Sequence, residues 1–140
     1  MGLFPSRNGA ITESLMPFVA GDLTPYYGTV VDNGECVRFV QTVTVAPHTS
    51  LWRRGVKVRG GGVGTLTAIA TFGDDGRYTN AYDGNTHAAI LLAEHSDGLL
   101  CADQWVGHPV AQRVIRFRDG AGDDSNDGDQ FFVIETDDDD

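Results

Sequence analysis

A thiol, an imidazole and a carboxylate make a nucleophile, a base and a group that orients the base, once a fold brings them together. The chain has two cysteines, Cys36 and Cys101, and four histidines. Gly34-Glu35-Cys36-Val37-Arg38-Phe39-Val40-Gln41 reads as the first two turns of a helix. Asp32 followed three residues later by Glu35 has the form of a capping box. Cys36, Phe39, Val40 and Val43 then recur at i, i+3, i+4 and i+7, one apolar face. Ala46-Pro47 closes the run. Cys36 therefore falls in the first turn, where unpaired backbone N–H groups and the positive end of the dipole favour a thiolate. Cys101 lies in an apolar stretch and reads as a reduced, buried strand residue. Two cysteines make no disulfide framework, and no sequence feature places these two within bonding reach.

Among the histidines, His48 precedes a loop, His95 flanks a hairpin turn and His108 precedes Pro109. His87 alone opens a strongly apolar run, His87-Ala88-Ala89-Ile90-Leu91-Leu92-Ala93. A polar residue there is either a satisfied core histidine or a functional one. Ser96-Asp97-Gly98 is a hairpin turn, and the return strand, Leu99–Val106, carries Asp103 back alongside the strand that starts at His87. A carboxylate in that position can accept the Nδ1–H of His87 and hold its tautomer. Gln104 faces the other side of the strand and becomes the orienting group if the register slips by one.

These side chains need a scaffold, and the rest of the chain supplies one. Met1 to Ala20 reads as an irregular arm with a short helix near Thr12–Met16. Thr49 to Gly55 reads as a short helix or turn, and Gly60–Gly64 as a flexible loop. Strands are expected at Thr67–Phe72, closed by the turn Gly73–Gly76, at His87–Ala93, Leu99–Val106, Arg113–Arg118 and Phe131–Glu135. One early helix followed by about five antiparallel strands is an α+β domain. The acidic segment Asp123–Gln130 departs from the EF-hand pattern, with Gly128 and Asp129 at its fifth and sixth positions from Asp124, and reads as a hairpin loop.

With 140 residues, 41% hydrophobic and 21% charged, the chain has the size and composition of one ordinary globular domain. The formal charge of −10 is unevenly spread: residues 1–122 hold ten Lys/Arg against eleven Asp/Glu, whereas residues 123–140 hold nine acids and no base. A near-neutral body argues against nucleic-acid binding, which wants a basic face. The run Asp137–Asp140 reads as a solvated acidic tail beyond a domain of residues 1–136. No apolar run approaches the roughly 20 residues of a membrane span. The first 20 residues lack a basic region followed by an apolar stretch, so no signal peptide is expected.

The segments Glu35–Gln41, Trp52-Arg53-Arg54-Gly55, Gly64–Phe72, His87-Ala88-Ala89-Ile90 and Asp103-Gln104-Trp105 together resemble the CHAP and NlpC-type cysteine amidases. The nearest likeness is to small peptidoglycan amidases delivered by type VI secretion systems against rival bacteria. The resemblance spans residues 27–118 and implies a papain-like fold, with the cysteine-bearing helix packed on the antiparallel sheet. It assigns Cys36 as nucleophile, His87 as its base and Asp103 as the carboxylate on the next strand. The chain departs from the pattern by having Asp where the family has Glu, and Trp105 where the motif ends in Asn. The implied chemistry is hydrolysis of an amide in peptidoglycan stem peptides, with no metal or cofactor. The oxyanion would be held by the Cys36 N–H and one further donor, for which Tyr27 and Asn33 are candidates. Trp52, Tyr82 and Trp105 could line a substrate groove, although each residue type is more often core. The likeness also implies synthesis in a bacterial cytoplasm, delivery to the periplasm of a target cell and an immunity partner. A phage lysin or wall-remodelling enzyme fits the same residues. Two other readings stand beside it: a hydrolase of this fold acting on a different amide, and a non-catalytic binding or structural domain in which Cys36 is packing and His87 a satisfied core residue.

Overall fold

The computed structural model describes residues 17–79 and 83–136. The short helix expected near Thr12–Met16, the residue Tyr82 and the tail 137–140 lie outside them.

The apolar runs become strands buried on both faces. Ala88, Ala89, Ile90 and Leu91 are all buried, as are Ala68, Ile69 and Ala70. Continuous burial of this kind means that both faces are covered, which explains why these runs lack polar alternation. Six strands form one sheet: β1 (Trp52–Lys57), β2 (Ala68–Ala70), β3 (Ala88–Glu94), β4 (Gly98–Trp105), β5 (His108–Arg116) and β6 (Phe132–Thr136). Their order is β1-β6-β2-β3-β4-β5, and every neighbouring pair is antiparallel. The helix α1 (Cys36–Val43) lies across β3 and β4. On that face Phe39 and Val40 meet the small side chains of Ala68, Ala70, Ala88 and Ala102, which lets the helix approach closely. The opposite face carries Ile69, Ala89, Leu91, Leu99, Cys101 and Ile115 under Val58 and Phe131.

Three local expectations are corrected. Asp32 and Glu35 make no capping box: Glu35 is itself the N-cap, without a side-chain cap bond, and Asp32 sits at φ 54°. The chain turns instead through Val31–Gly34, where the Gly34 N–H donates to the Val31 carbonyl at 3.0 Å and Gly34 adopts φ 87°, a conformation that suits glycine. In the segment Thr49–Gly55, read as a short helix or turn, only Thr49–Leu51 is helical. Trp52 to Lys57 is the edge strand β1, paired with β6 through Trp52–Thr136, Arg53–Glu135 and Arg54–Ile134, so the sheet has one strand more than expected. The acidic segment 123–130 is two 3-10 turns rather than a simple hairpin loop, and Asp127 and Asp129 are buried within it.

Candidate active site

Cys36 is the first residue of α1, half-buried, so its thiol stands at the helix N-terminus as the sequence pattern requires. The loop that delivers it is fixed from beneath by Gln104. The fully buried Gln104 amide accepts from the Val31 N–H at 2.8 Å and donates to the carbonyls of Val31 and Glu35, each at 2.9 Å.

Gln104 and Asp103 are consecutive on β4 and so point to opposite faces. Continuing the Ile90–Ala102 register puts Ala89 opposite Asp103, and His87, two residues earlier on the same face, lies on the diagonal. His87 is anchored by Thr71, whose Oγ1 accepts the His87 N–H at 3.0 Å and whose N–H donates to the His87 carbonyl at 3.0 Å. Its ring reaches Asp103, Nε2 to Oδ2 at 2.7 Å, with both side chains buried. The nitrogen facing the carboxylate is thus Nε2 and not the Nδ1 expected from sequence. The diagonal approach from a strand end brings the far side of the ring to Asp103.

The same Asp103 Oδ2 accepts from Arg113 Nε at 2.9 Å. Arg113 Nη2 lies 3.4 Å from His87 Nε2. A guanidinium only donates, so the acceptor that both cations share is Asp103. Nε2 therefore carries its proton toward the carboxylate, and Nδ1 is left for the thiol. Burial works against charge on Cys36, but its hydrogen bond to His87 and the imidazolium charge, with help from the Ala88 N–H and the Tyr78 hydroxyl, bring its pKa below the ordinary thiol value. Burial likewise works against charge on His87, yet its bonds to Asp103 and Cys36 raise it to about 9. Both shifts act in favour of a thiolate–imidazolium pair. Cys101 behaves in the opposite way: burial pushes its thiol well above the ordinary range.

Beside this centre, Trp105 and His108 stack at 4.0 Å across the tip of the β4–β5 hairpin, with the Arg113 guanidinium 4.9 Å from the Trp105 ring. Trp105 is 38% exposed and its ring lies 6.3 Å from that of His87, so it can meet a substrate. Trp52 cannot: it is fully buried, packs on Tyr78 at 4.9 Å and donates its indole N–H to the Pro47 carbonyl. Its aromatic bulk serves the core, which corrects its placement in a groove. Of the expected oxyanion donors, Asn33 uses its Oδ1 to accept the Glu35 N–H, and the Tyr27 hydroxyl accepts from Gln112.

Sequence reasoning missed three neighbours of the site. Arg113 could have been found from the Arg-Val-Ile-Arg alternation, because the return strand pairs it with Cys101, diagonal to Asp103. Gln104 was weighed only as a replacement for Asp103. Tyr78, whose hydroxyl is 3.8 Å from Cys36 Sγ, left no local signal.

A thiol at a helix N-terminus, an imidazole beside it and a buried carboxylate behind the imidazole, carried on a helix and an antiparallel sheet, place the chain in the papain-like α+β class. It belongs to the domesticated amidase effector 2 family, whose profile matches residues 11–134. It is 38% identical over 122 residues to Domesticated amidase effector 2 of Ixodes scapularis, covering 81% of this chain and 82% of that one. The solved structure of Type 6 secretion amidase effector 2 (Tae2) matches it with a TM-score of 0.71 at 28% identity, over 84% of this chain and 94% of the other.

Proposed function

We propose that this chain is a CHAP/NlpC-type cysteine amidase that hydrolyses an amide bond in peptidoglycan stem peptides. The observation that carries the reading is the chain of contacts from Cys36 through His87 to Asp103, with the thiol lowered and the imidazole raised from their ordinary pKa values. The Cys36 thiolate attacks the amide carbonyl, and the Cys36 N–H at the start of α1 faces the developing oxyanion. The His87 imidazolium gives its Nδ1 proton to the leaving amine. It then takes a proton from water as that water attacks the thioester, and acid product and thiol are released. Asp103 keeps the Nε2 proton in place throughout and stabilises the imidazolium. Trp105 forms one wall of the substrate groove. Family membership supports the amidase activity. Delivery into the periplasm of a target bacterium, with a cognate immunity protein, follows from the same reading.

The test is release of shortened muropeptides from purified sacculi. Cys36→Ala and His87→Ala each abolish release, and the double variant is no worse than either, because the residues act as a unit. Asp103→Ala is milder, since it orients rather than reacts. Digestion by Cys36→Ala at the parent rate removes the nucleophile assignment.

A further inference from the structure

The tetrahedral intermediate of amide hydrolysis needs two donors, and α1 offers one, the Cys36 N–H. The two side chains that the sequence nominates for the second are seen only as acceptors, Asn33 Oδ1 from the Glu35 N–H and the Tyr27 hydroxyl from Gln112, and no contact ties either of them to the Cys36 sulfur. The structure places a third polar group against the sulfur. Tyr78 follows the turn Gly73–Gly76, is 8% exposed, and brings its hydroxyl to 3.8 Å from Cys36 Sγ. Its ring is held rigidly, 4.9 Å from Trp52 and 6.3 Å from Phe72. A buried phenol in such a setting gives up little motion when it donates, which is what preorganisation requires.

The distance decides what this hydroxyl can reach. When the thiolate adds to a carbonyl, the new oxyanion is bonded to the carbon that sulfur has just joined. It therefore lies nearer the sulfur than a non-bonded neighbour does. A donor 3.8 Å from the sulfur can meet that oxygen at hydrogen-bond distance. Before attack, the same hydroxyl is in contact with the sulfur, and once the thiol is ionised only the hydroxyl can donate across that contact.

We infer that Tyr78 is a catalytic residue, whose hydroxyl passes from the Cys36 thiolate to the oxyanion of the tetrahedral intermediate and completes the oxyanion hole with the Cys36 N–H. The step moves no proton. As the S–C bond forms, the carbonyl π pair becomes the oxygen's negative charge, and the Tyr78 O–H···S contact is exchanged for O–H···O. Collapse of the intermediate expels the amine, protonated by His87, and returns the hydroxyl to the sulfur's vicinity once the thioester is hydrolysed. This assignment rests on the amidase reading only in that acyl transfer is the reaction, so it is testable without the natural substrate.

Two probes of Cys36 separate an oxyanion donor from a group that merely tunes the thiol. Acylation by p-nitrophenyl acetate passes through a tetrahedral oxyanion; alkylation by iodoacetamide does not. Both rates are measured on the full chain for the parent, Tyr78→Phe and Cys36→Ala, with Cys101 buried and silent. Tyr78→Phe keeps the ring and its packing, and an unchanged melting temperature confirms that. The expected result is an acylation rate lowered about 100-fold, with alkylation changed less than about 3-fold. Acylation and alkylation falling together would make Tyr78 a thiolate-tuning group only, and neither falling would remove it from the site; either result overturns the inference. If the parent acylates readily but leaves sacculi intact, the peptidoglycan assignment fails and the Tyr78 result still stands on its own.

Discussion

Replacing Gln104 by alanine tests the claim that one strand positions both halves of the thiol–imidazole pair. The Gln104 amide makes three hydrogen bonds, to the Val31 N–H, the Val31 carbonyl and the Glu35 carbonyl. The carbonyls do not depend on it alone. Val31 O also accepts from the Gly34 N–H at 3.0 Å, and Glu35 O from the Arg38 N–H at 3.1 Å. Only the buried Val31 N–H is left without a partner, which costs about 2 kcal/mol. The void beneath the loop adds roughly 1–2 kcal/mol, giving about 3–4 kcal/mol in all. For a domain of this size the loss corresponds to about 10 °C in melting temperature. Thermal and denaturant melts measure it. Because the loop carries Cys36, iodoacetamide alkylation of the folded variant at neutral pH should slow as well. Gln104→Glu should be at least as damaging, since it sets an oxygen against two carbonyls. A loss below about 1 kcal/mol with unchanged alkylation would refute the clamp.

Two further outcomes follow from the charges. On the proposed mechanism the competent thiolate–imidazolium pair would exist between the lowered Cys36 pKa and the raised His87 pKa of about 9. A profile of kcat/KM against pH should therefore have its acid limb below the ordinary thiol value, where Cys36 becomes protonated. Its alkaline limb should fall near 9, where His87 loses its proton; the two limbs belong to the coupled pair. A single acid limb near 6.5 with no fall above 9 would mean a neutral pair instead. Away from the site, the fully buried Asp127 carboxylate accepts from the backbone N–H groups of Arg118, Gly120 and Asp129. Asp127→Ala leaves these donors without that acceptor and should cost at least about 3 kcal/mol in denaturant unfolding, while the folded fraction keeps its specific activity.

Much of the site was legible because it rests on short-range pattern. The apolar spacing of Cys36, Phe39 and Val40 put the thiol on the first turn of α1, and the turn at Asp97-Gly98 put Asp103 beside the strand of His87. The features that escaped depend on distant partners. Trp52–Lys57 is a strand only because β6, near the other end of the chain, pairs with it. Asp32 and Glu35 have capping-box spacing, but the cap is decided by backbone that Gln104 ties down from β4. Which imidazole nitrogen meets Asp103 depends on a diagonal across two strands, which spacing alone does not fix. Tyr78 reaches the thiol from a loop whose path no local preference dictates. Asp127 and Asp129 look like solvent-facing acids by composition; their burial follows from the backbone N–H groups that fold around them, with Arg59 adding a charge partner to Asp129.

The Cys36 pKa is shifted toward the thiolate, and the thiolate is also the form that peroxide attacks. Oxidation would give a sulfenic acid at Cys36, and the usual intramolecular rescue is a second thiol that condenses with it. The chain's only other cysteine is Cys101, fully buried and packed against the opposite face of the sheet. Its thiol is also held protonated, so it is a poor nucleophile even where it lies. Cys101 is thus badly placed to act as a resolving partner. Early peroxide damage should be reversible by an added small thiol, and oxidation that proceeds to the sulfinic acid should be permanent. Working lifetime in an oxidising environment is then set by the same arrangement that activates the sulfur.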